Sequence, residues 1–144
     1  MSPESIFSIC GSVTMLGWIL LIISPLNERI KKIVNWGLIP FLLSLVYAWL
    51  IFAYFGDADG GFGSLAEVKK LFTNDHAALA GWIHYLAFDL WVGSWALSNS
   101  KKHGIHHFLM IPILLATFML GPIGLAVYFI VRMLYSKTPD HDNF

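Results

Sequence analysis

The stretch HAALAGWIHYLAFDLWVGSWALS, His76 to Ser98, decides the fold. It is long and apolar enough to cross a bilayer, whose hydrocarbon core takes about 20 residues of helix. Yet it carries His84 and Asp89 near its middle. An ionisable group at the centre of a spanning helix costs about 2.5–3.5 kcal/mol on insertion scales, so such a group faces protein, a wet cavity or a ligand rather than lipid. His84 and Asp89 are therefore the first candidates for a functional site.

Three further apolar runs flank this one, at residues 6–24, 36–56 and 107–133. None alternates with the period of two that barrel strands need, and all exceed strand length. Mostly short connections imply antiparallel neighbours. The expected fold is all-α: an integral membrane four-helix antiparallel bundle, with residues 1–144 as a single membrane domain. Composition agrees, at 57% hydrophobic and 12% charged, where soluble domains hold about 25% charged residues. The mean hydropathy is +0.67. A formal net charge of zero lacks the basic excess that phosphate contacts require, so no nucleic-acid partner is expected. The single cysteine, Cys10, excludes an internal disulfide and reads as a buried thiol in an apolar run. The opening MSPESIF lacks the basic region of a signal peptide, so the first run is expected to stay as a helix.

The connections set an expected orientation. Arg29, Lys31 and Lys32 lie in the first, and Lys101 and Lys102 in the third. The opposite side would hold Lys69, Lys70, Arg132 and Lys137 among the acidic Glu4, Asp57, Asp59, Glu67, Asp75, Asp140 and Asp142. The positive-inside rule then makes the basic turns cytoplasmic and both termini extracytoplasmic, in a multi-pass protein of a bacterial inner membrane. The second connection opens with a glycine-rich turn whose Asp57 and Asp59 lack the rest of a calcium loop. Ser64-x-x-Glu67 follows as a capping box. Leu65, Val68 and Phe72, with Leu71 beside them, then predict a short amphipathic interfacial helix.

Helix rise allows depths to be compared across antiparallel neighbours. Asp89 falls level with Thr117 and Ser44, His84 with Tyr47 and Pro122, and Thr14 at a similar height. A polar layer of Thr14, Ser44, Tyr47, His84, Tyr85, Asp89 and Thr117 is expected. Pro122 should kink the fourth helix and free the carbonyl of Phe118. His84 and Asp89 are about 140° apart around a helix, which suits two walls of one cavity better than a mutual hydrogen bond. Tyr85 is the natural i−4 partner of Asp89. Trp91 and Trp95 would flank a flat, conjugated, apolar ligand, with ordinary helix packing as the alternative. His103, His106 and His107 sit in a basic connection and read as a solvated cluster, so no metal and no cofactor is expected.

The run Trp82-Ile-His84-Tyr-Leu-Ala-Phe88-Asp89-Leu90, then Val92-Gly93, then Gly121-Pro122-Ile-Gly124 resembles the ABA4-like family. That family is named for a plant plastid membrane protein required for neoxanthin formation. The resemblance is strongest over Gly81 to Arg132. It implies a small four-helix membrane bundle and, from the plant role, rearrangement of an epoxy-carotenoid, violaxanthin, to the allenic neoxanthin. Opening an epoxide needs an acid at oxygen and a base for a carbon-bound proton. His84 and Asp89 match those roles, and Tyr47, Tyr85, Trp91, Trp95 and Thr117 are the expected substrate-binding residues. The expected function is a membrane-embedded isomerase of a carotenoid or related isoprenoid, with membrane lipids and a hydrophobic carotenoid-like ligand as partners. The alternative is a non-catalytic pigment- or lipid-binding or assembly subunit, as a homo-oligomer or within a larger membrane complex.

Gentle purification is expected to give polyene absorption bands, no haem band, and an isoprenoid in the mass spectrum of the lipid extract. A haem band or an extract free of isoprenoid would contradict this reading.

Overall fold

Helices form wherever the chain is apolar and unbroken, and they stop at its Ser-Pro, Gly and Asx signals. The computed structural model describes residues 1–135, and all the regular elements among these described residues are helical. α1 runs Pro3–Ile23, beginning with a proline where its missing N–H is no loss. A 3₁₀ turn, Ser24–Leu26, ends it, and the Ser24 hydroxyl donates to the Leu21 carbonyl at 2.9 Å. α2 covers Glu28–Asn35, capped by the Asn27 side chain, which accepts from the N–H groups of Arg29 and Ile30. α3 is Leu38–Tyr54, α4 Leu65–Leu71, α5 Asp75–Lys102, α6 His107–Leu120 and α7 Pro122–Tyr135. The charges at Lys137, Asp140 and Asp142 lie outside the described residues.

Pro3–Leu26 and Glu28–Tyr54 are long and apolar enough to cross a membrane. α5 is longer than α1 or α3 but carries more polar side chains. The first basic connection, expected as a loop, contains α2. Lys101 and Lys102 belong to the last turn of α5, where cations complement unpaired carbonyls.

The capping box is present in altered form. The Ser64 hydroxyl accepts from the Glu67 N–H at 3.2 Å, while the Glu67 carboxylate reaches back to the N–H of Gly63 at 3.0 Å. The buried residue of α4 is Leu71, and Leu65 is exposed. The apolar stripe is thus rotated from the one expected, because Leu71 and not Leu65 finds neighbours.

The chain divides into two compact units: Met1–Met15 with Ile39–Phe88, and Leu16–Leu38 with the residues from Asp89 onward. In the first unit Ile6 and Cys10 of α1, Leu43 and Leu50 of α3, and Leu79, Ala80, Ile83, Leu86 and Ala87 of α5 make the core. Their spacing of three, four and seven is that of buried helical stripes. α3 runs antiparallel to this part of α5, since Tyr54 stacks on His76 at 3.9 Å and Tyr47 meets His84 at 5.6 Å.

The second unit corrects the expected fourth span. α6 and α7 have 14 residues each, about 21 Å of helix, short of a hydrocarbon core of about 30 Å. They are not one kinked helix. Gly121 between them has φ +49°, a left-handed conformation that ends a helix and favours glycine. Pro122 then starts α7 and does not interrupt a continuing helix. A methyl group at Gly124 would overlap the backbone and hydroxyl of Thr117. Residues seven apart in one helix would stand about 10 Å apart along the axis, so the chain folds back. Two contacts give the direction: Gly121 faces Asp89, and the Tyr128 hydroxyl bonds Asn99 at 2.6 Å. α7 therefore runs parallel to α5, and α6–α7 is a helical hairpin.

The described end, Tyr135, consequently returns toward the Lys101–Lys102 end of α5. The expectation had placed it on the opposite side, because it took residues 107–133 as one full crossing. Among the described residues Arg29, Lys31, Lys32, Lys101, Lys102 and Arg132 all belong to the second unit, and Lys69 and Lys70 to the first.

In a Cys10→Ala background, Lys102→Cys and Tyr135→Cys are expected to react with a membrane-impermeant maleimide from the same side of sealed vesicles. Labelling from opposite sides would rule out the hairpin.

Candidate functional site

In the first unit, α5 presents Ala77, Ala80 and Gly81 on one face. These small side chains leave a shallow floor, and aromatic rings fill in around it. A pocket of about 200 Å³ results. Tyr47 and Ile51 of α3, Phe55 and Phe62 of the following connection, and Leu71 and Phe72 at the end of α4 form its walls. His84 stands at its rim, and the polar side chains lining it are His84 and Tyr47. Gly81 makes room for this ring: a β-carbon on it would stand 2.6 Å from Cε1 of Phe72, and the ring would have to shift. Phe55 and Phe62 stack nearly parallel, 6.0 Å apart at 11°. The His84 ring lies 5.6 Å from Tyr47 and 4.6 Å from Phe88.

His84 is exposed and not enclosed in the interior as its central position suggested. Tyr85, one residue on, is half-buried against the core and packs its ring 5.4 Å from Trp82. Two members of the expected polar layer bond within their own helices. The Thr14 hydroxyl is buried and donates to the Cys10 carbonyl at 2.8 Å. Ser44 is exposed and donates to the Pro40 carbonyl at 2.8 Å. Each hydroxyl closes onto its own helix, which is how an isolated hydroxyl in an apolar helix satisfies itself.

In the second unit, Asp89 is half-buried and faces the tip of the α6–α7 hairpin. A β-carbon at Gly121 would lie 3.0 and 3.1 Å from its two carboxyl oxygens. The first turn of α7 begins there, with N–H groups that have no partner inside the helix, and a carboxylate is favoured at such an end. Thr117 is buried beside this turn: its carbonyl accepts the Gly121 N–H at 2.8 Å, and its hydroxyl donates to Ile113 at 2.9 Å. Thr117 is thus bonded to the turn that Asp89 faces.

Trp91 and Trp95 do not act as a matched pair. Trp91 is 54% exposed, whereas Trp95 packs edge-on to Tyr128 at 5.5 Å and against Phe129 at 5.8 Å. Gly93 seats the Trp18 ring, which in turn meets Phe118 at 5.5 Å. The His107 Nε2 lies 3.0 Å from the Ile22 carbonyl; a carbonyl only accepts, so that nitrogen carries the proton. Among the described residues no group of three or more His, Cys, Asp or Glu is placed to hold a metal ion.

Sequence reasoning missed a buried polar set: Asn99, Tyr128 and, one turn on, Arg132. Aligning residues 107–133 as one antiparallel crossing put Tyr128 at the wrong end of α5. The available signal was the pair Gly121-Pro122 read as a stop and a start.

The family model described as ABA4-like, ABA DEFICIENT 4-like, matches residues 5–128. The match reaches from the start of α1 into α7, well beyond the region where the motif resemblance is strongest. No curated protein and no solved structure matches the chain.

Tyr128→Phe is expected to cost about 1–3 kcal/mol of stability, because it leaves the buried Asn99 carbonyl oxygen without its donor. Thermal unfolding in detergent checks this, and an unchanged midpoint would remove the bond from any stabilising role.

Proposed function

Because the chain belongs to the ABA4-like family, we propose that it is a membrane-embedded isomerase acting on a carotenoid or related isoprenoid. The observation that carries this reading is the aromatic, apolar pocket of the first unit, with His84 as the ionisable group on its rim. Apolar walls with a few placed polar groups are the usual make-up of a site for a hydrophobic ligand. In the proposal the protein is multi-pass in a bacterial inner membrane, with α1, α3 and α5 as its long helices and α6–α7 as a hairpin. Its amino terminus is extracytoplasmic, and its basic turns, with Tyr135, are cytoplasmic.

The reaction is an isomerisation with no net loss of atoms. A base removes a proton from the chain carbon next to an epoxide-bearing ring. The electron pair left behind forms the second double bond of an allene. The ring C–O bond at the adjoining carbon breaks, and the oxygen, retained on the other ring carbon, takes a proton from an acid. His84 and Asp89 are the proposed pair, and solvent resets their protonation after each turnover. Tyr47, Tyr85, Trp91, Trp95 and Thr117 remain the proposed substrate contacts, of which Tyr47 lines the same pocket as His84.

A second reading has its own support. Phe52 is 91% and Phe88 57% exposed, and such rings suit packing on lipid, pigment or a partner chain. This favours a non-catalytic pigment-binding or assembly subunit, alone as a homo-oligomer or in a larger complex.

Expression in a host that makes epoxy-carotenoids separates the two. The wild type is expected to convert the epoxide to an isomer of equal mass. His84→Ala and Asp89→Asn should each lower conversion by about 10²–10⁴-fold, as for other acid–base groups. Pigment that is bound but chemically unchanged would instead establish the second reading. Full conversion by both variants, present in the membrane at wild-type levels, would remove the acid–base roles.

A further inference from the structure

We propose, resting on the isoprenoid reading, that the His84 pocket is an end-group site. It takes one cyclic, oxygen-bearing terminus of the ligand and leaves the long chain outside, and its depth is set by Phe72 lying on Gly81.

The volume argues first. The pocket holds about 200 Å³, below the roughly 300–1,000 Å³ of pockets that enclose a drug-sized molecule. A pocket of that size suits one compact end of a ligand, whereas an isoprenoid of several tens of carbons would leave most of its length outside.

The shape argues second. The floor is flat, because Ala77, Ala80 and Gly81 of α5 project little. Aromatic rings stand opposite: Phe55 and Phe62 stack almost in parallel, and the Cε1 end of the Phe72 ring comes up to Gly81. Aromatic rings across from a bare helix surface suit a compact cyclic group. The polar groups argue third. His84 at the rim and Tyr47 on the adjoining wall offer hydrogen bonds at one place only. They suit a single epoxide, hydroxyl or carbonyl oxygen carried on the ring.

Gly81 and Phe72 then become specificity residues. The β-carbon of any other residue at position 81 would displace the Phe72 ring, which lies 2.6 Å from that point. A leucine there would also occupy the pocket. Removing the Phe72 ring would lengthen the pocket without blocking it.

The test uses the full chain in lipid nanodiscs and a photoprobe, 5,6-epoxy-β-ionone carrying a diazirine, with empty nanodiscs as the partition control. Label is expected in the peptides around Tyr47 to Phe55 and Phe72 to His84. Unlabelled epoxy-ionone in tenfold excess should displace it, and lycopene, an acyclic forty-carbon polyene, should not. Gly81→Leu should reduce labelling at least fivefold at wild-type helix content, whereas Phe72→Ala should retain it. Displacement by lycopene as effective as by the ring compound would overturn the end-group site, and so would label confined to other peptides. If Gly81→Leu fails to fold, the competition and Phe72→Ala decide alone. Ring labelling that persists while His84→Ala still converts substrate keeps this site and removes the acid–base reading. Conversion that depends on His84 without ring labelling of the wild type does the reverse.

Discussion

The turn at Gly121 is the constraint on which the second unit depends. Gly121 takes a left-handed backbone at φ +49°, and the carboxyl group of Asp89 fills the space where a side chain would project. Gly124 gives up its own side chain so that the first turn of α7 can lie on Thr117. Two glycines and one aspartate thus fold an apolar stretch back on itself. A break between two helices leaves backbone groups without partners inside either helix, and Asp89 stands at that place. The reversal then carries Tyr128 to Asn99 and Trp95, and buries Arg132 one turn on.

The same device recurs along α5 for a different purpose. Gly81 lets Phe72 lie on the helix and Gly93 lets Trp18 do so. In each case a glycine costs the helix up to about 1 kcal/mol in intrinsic propensity and gains a large aromatic contact. At Gly81 the result is a floor shallow enough to leave a pocket, with His84 one turn further along the helix. At Asp89 a carboxyl group meets the turn. An acid–base role for Asp89 would therefore be added to a structural one, and the two roles share the same carboxyl group.

Much of this was legible from the residues. The apolar runs locate α1, α3 and α5 to within a few positions, because helix formation rests on bonds four residues apart and on local composition. Ser64 and Glu67 announce α4, and the motif around His84, Asp89 and Gly121-Pro122 points to the family that the match over residues 5–128 shows. Other features were not legible. A long apolar run reads the same whether it crosses once or folds into two short helices. The dipeptide Gly121-Pro122 is equally compatible with a kink and with a stop followed by a start. The partners of the Thr14 and Ser44 hydroxyls were not legible either, since a hydroxyl on an apolar helix has its own carbonyls within reach and needs no neighbour.

By itself, then, the sequence determined where α1, α3, α4 and α5 lie, the Ser64 cap, and the family. The tertiary structure decided the direction of α7, the rotation of α4 that buries Leu71 and not Leu65, and which rings gather around His84. The division has a physical cause. A helix is written in contacts a few residues long, whereas a reversal of direction is set by partners far along the chain. Asp89 meets Gly121, and Asn99 meets Tyr128, only once both segments are folded.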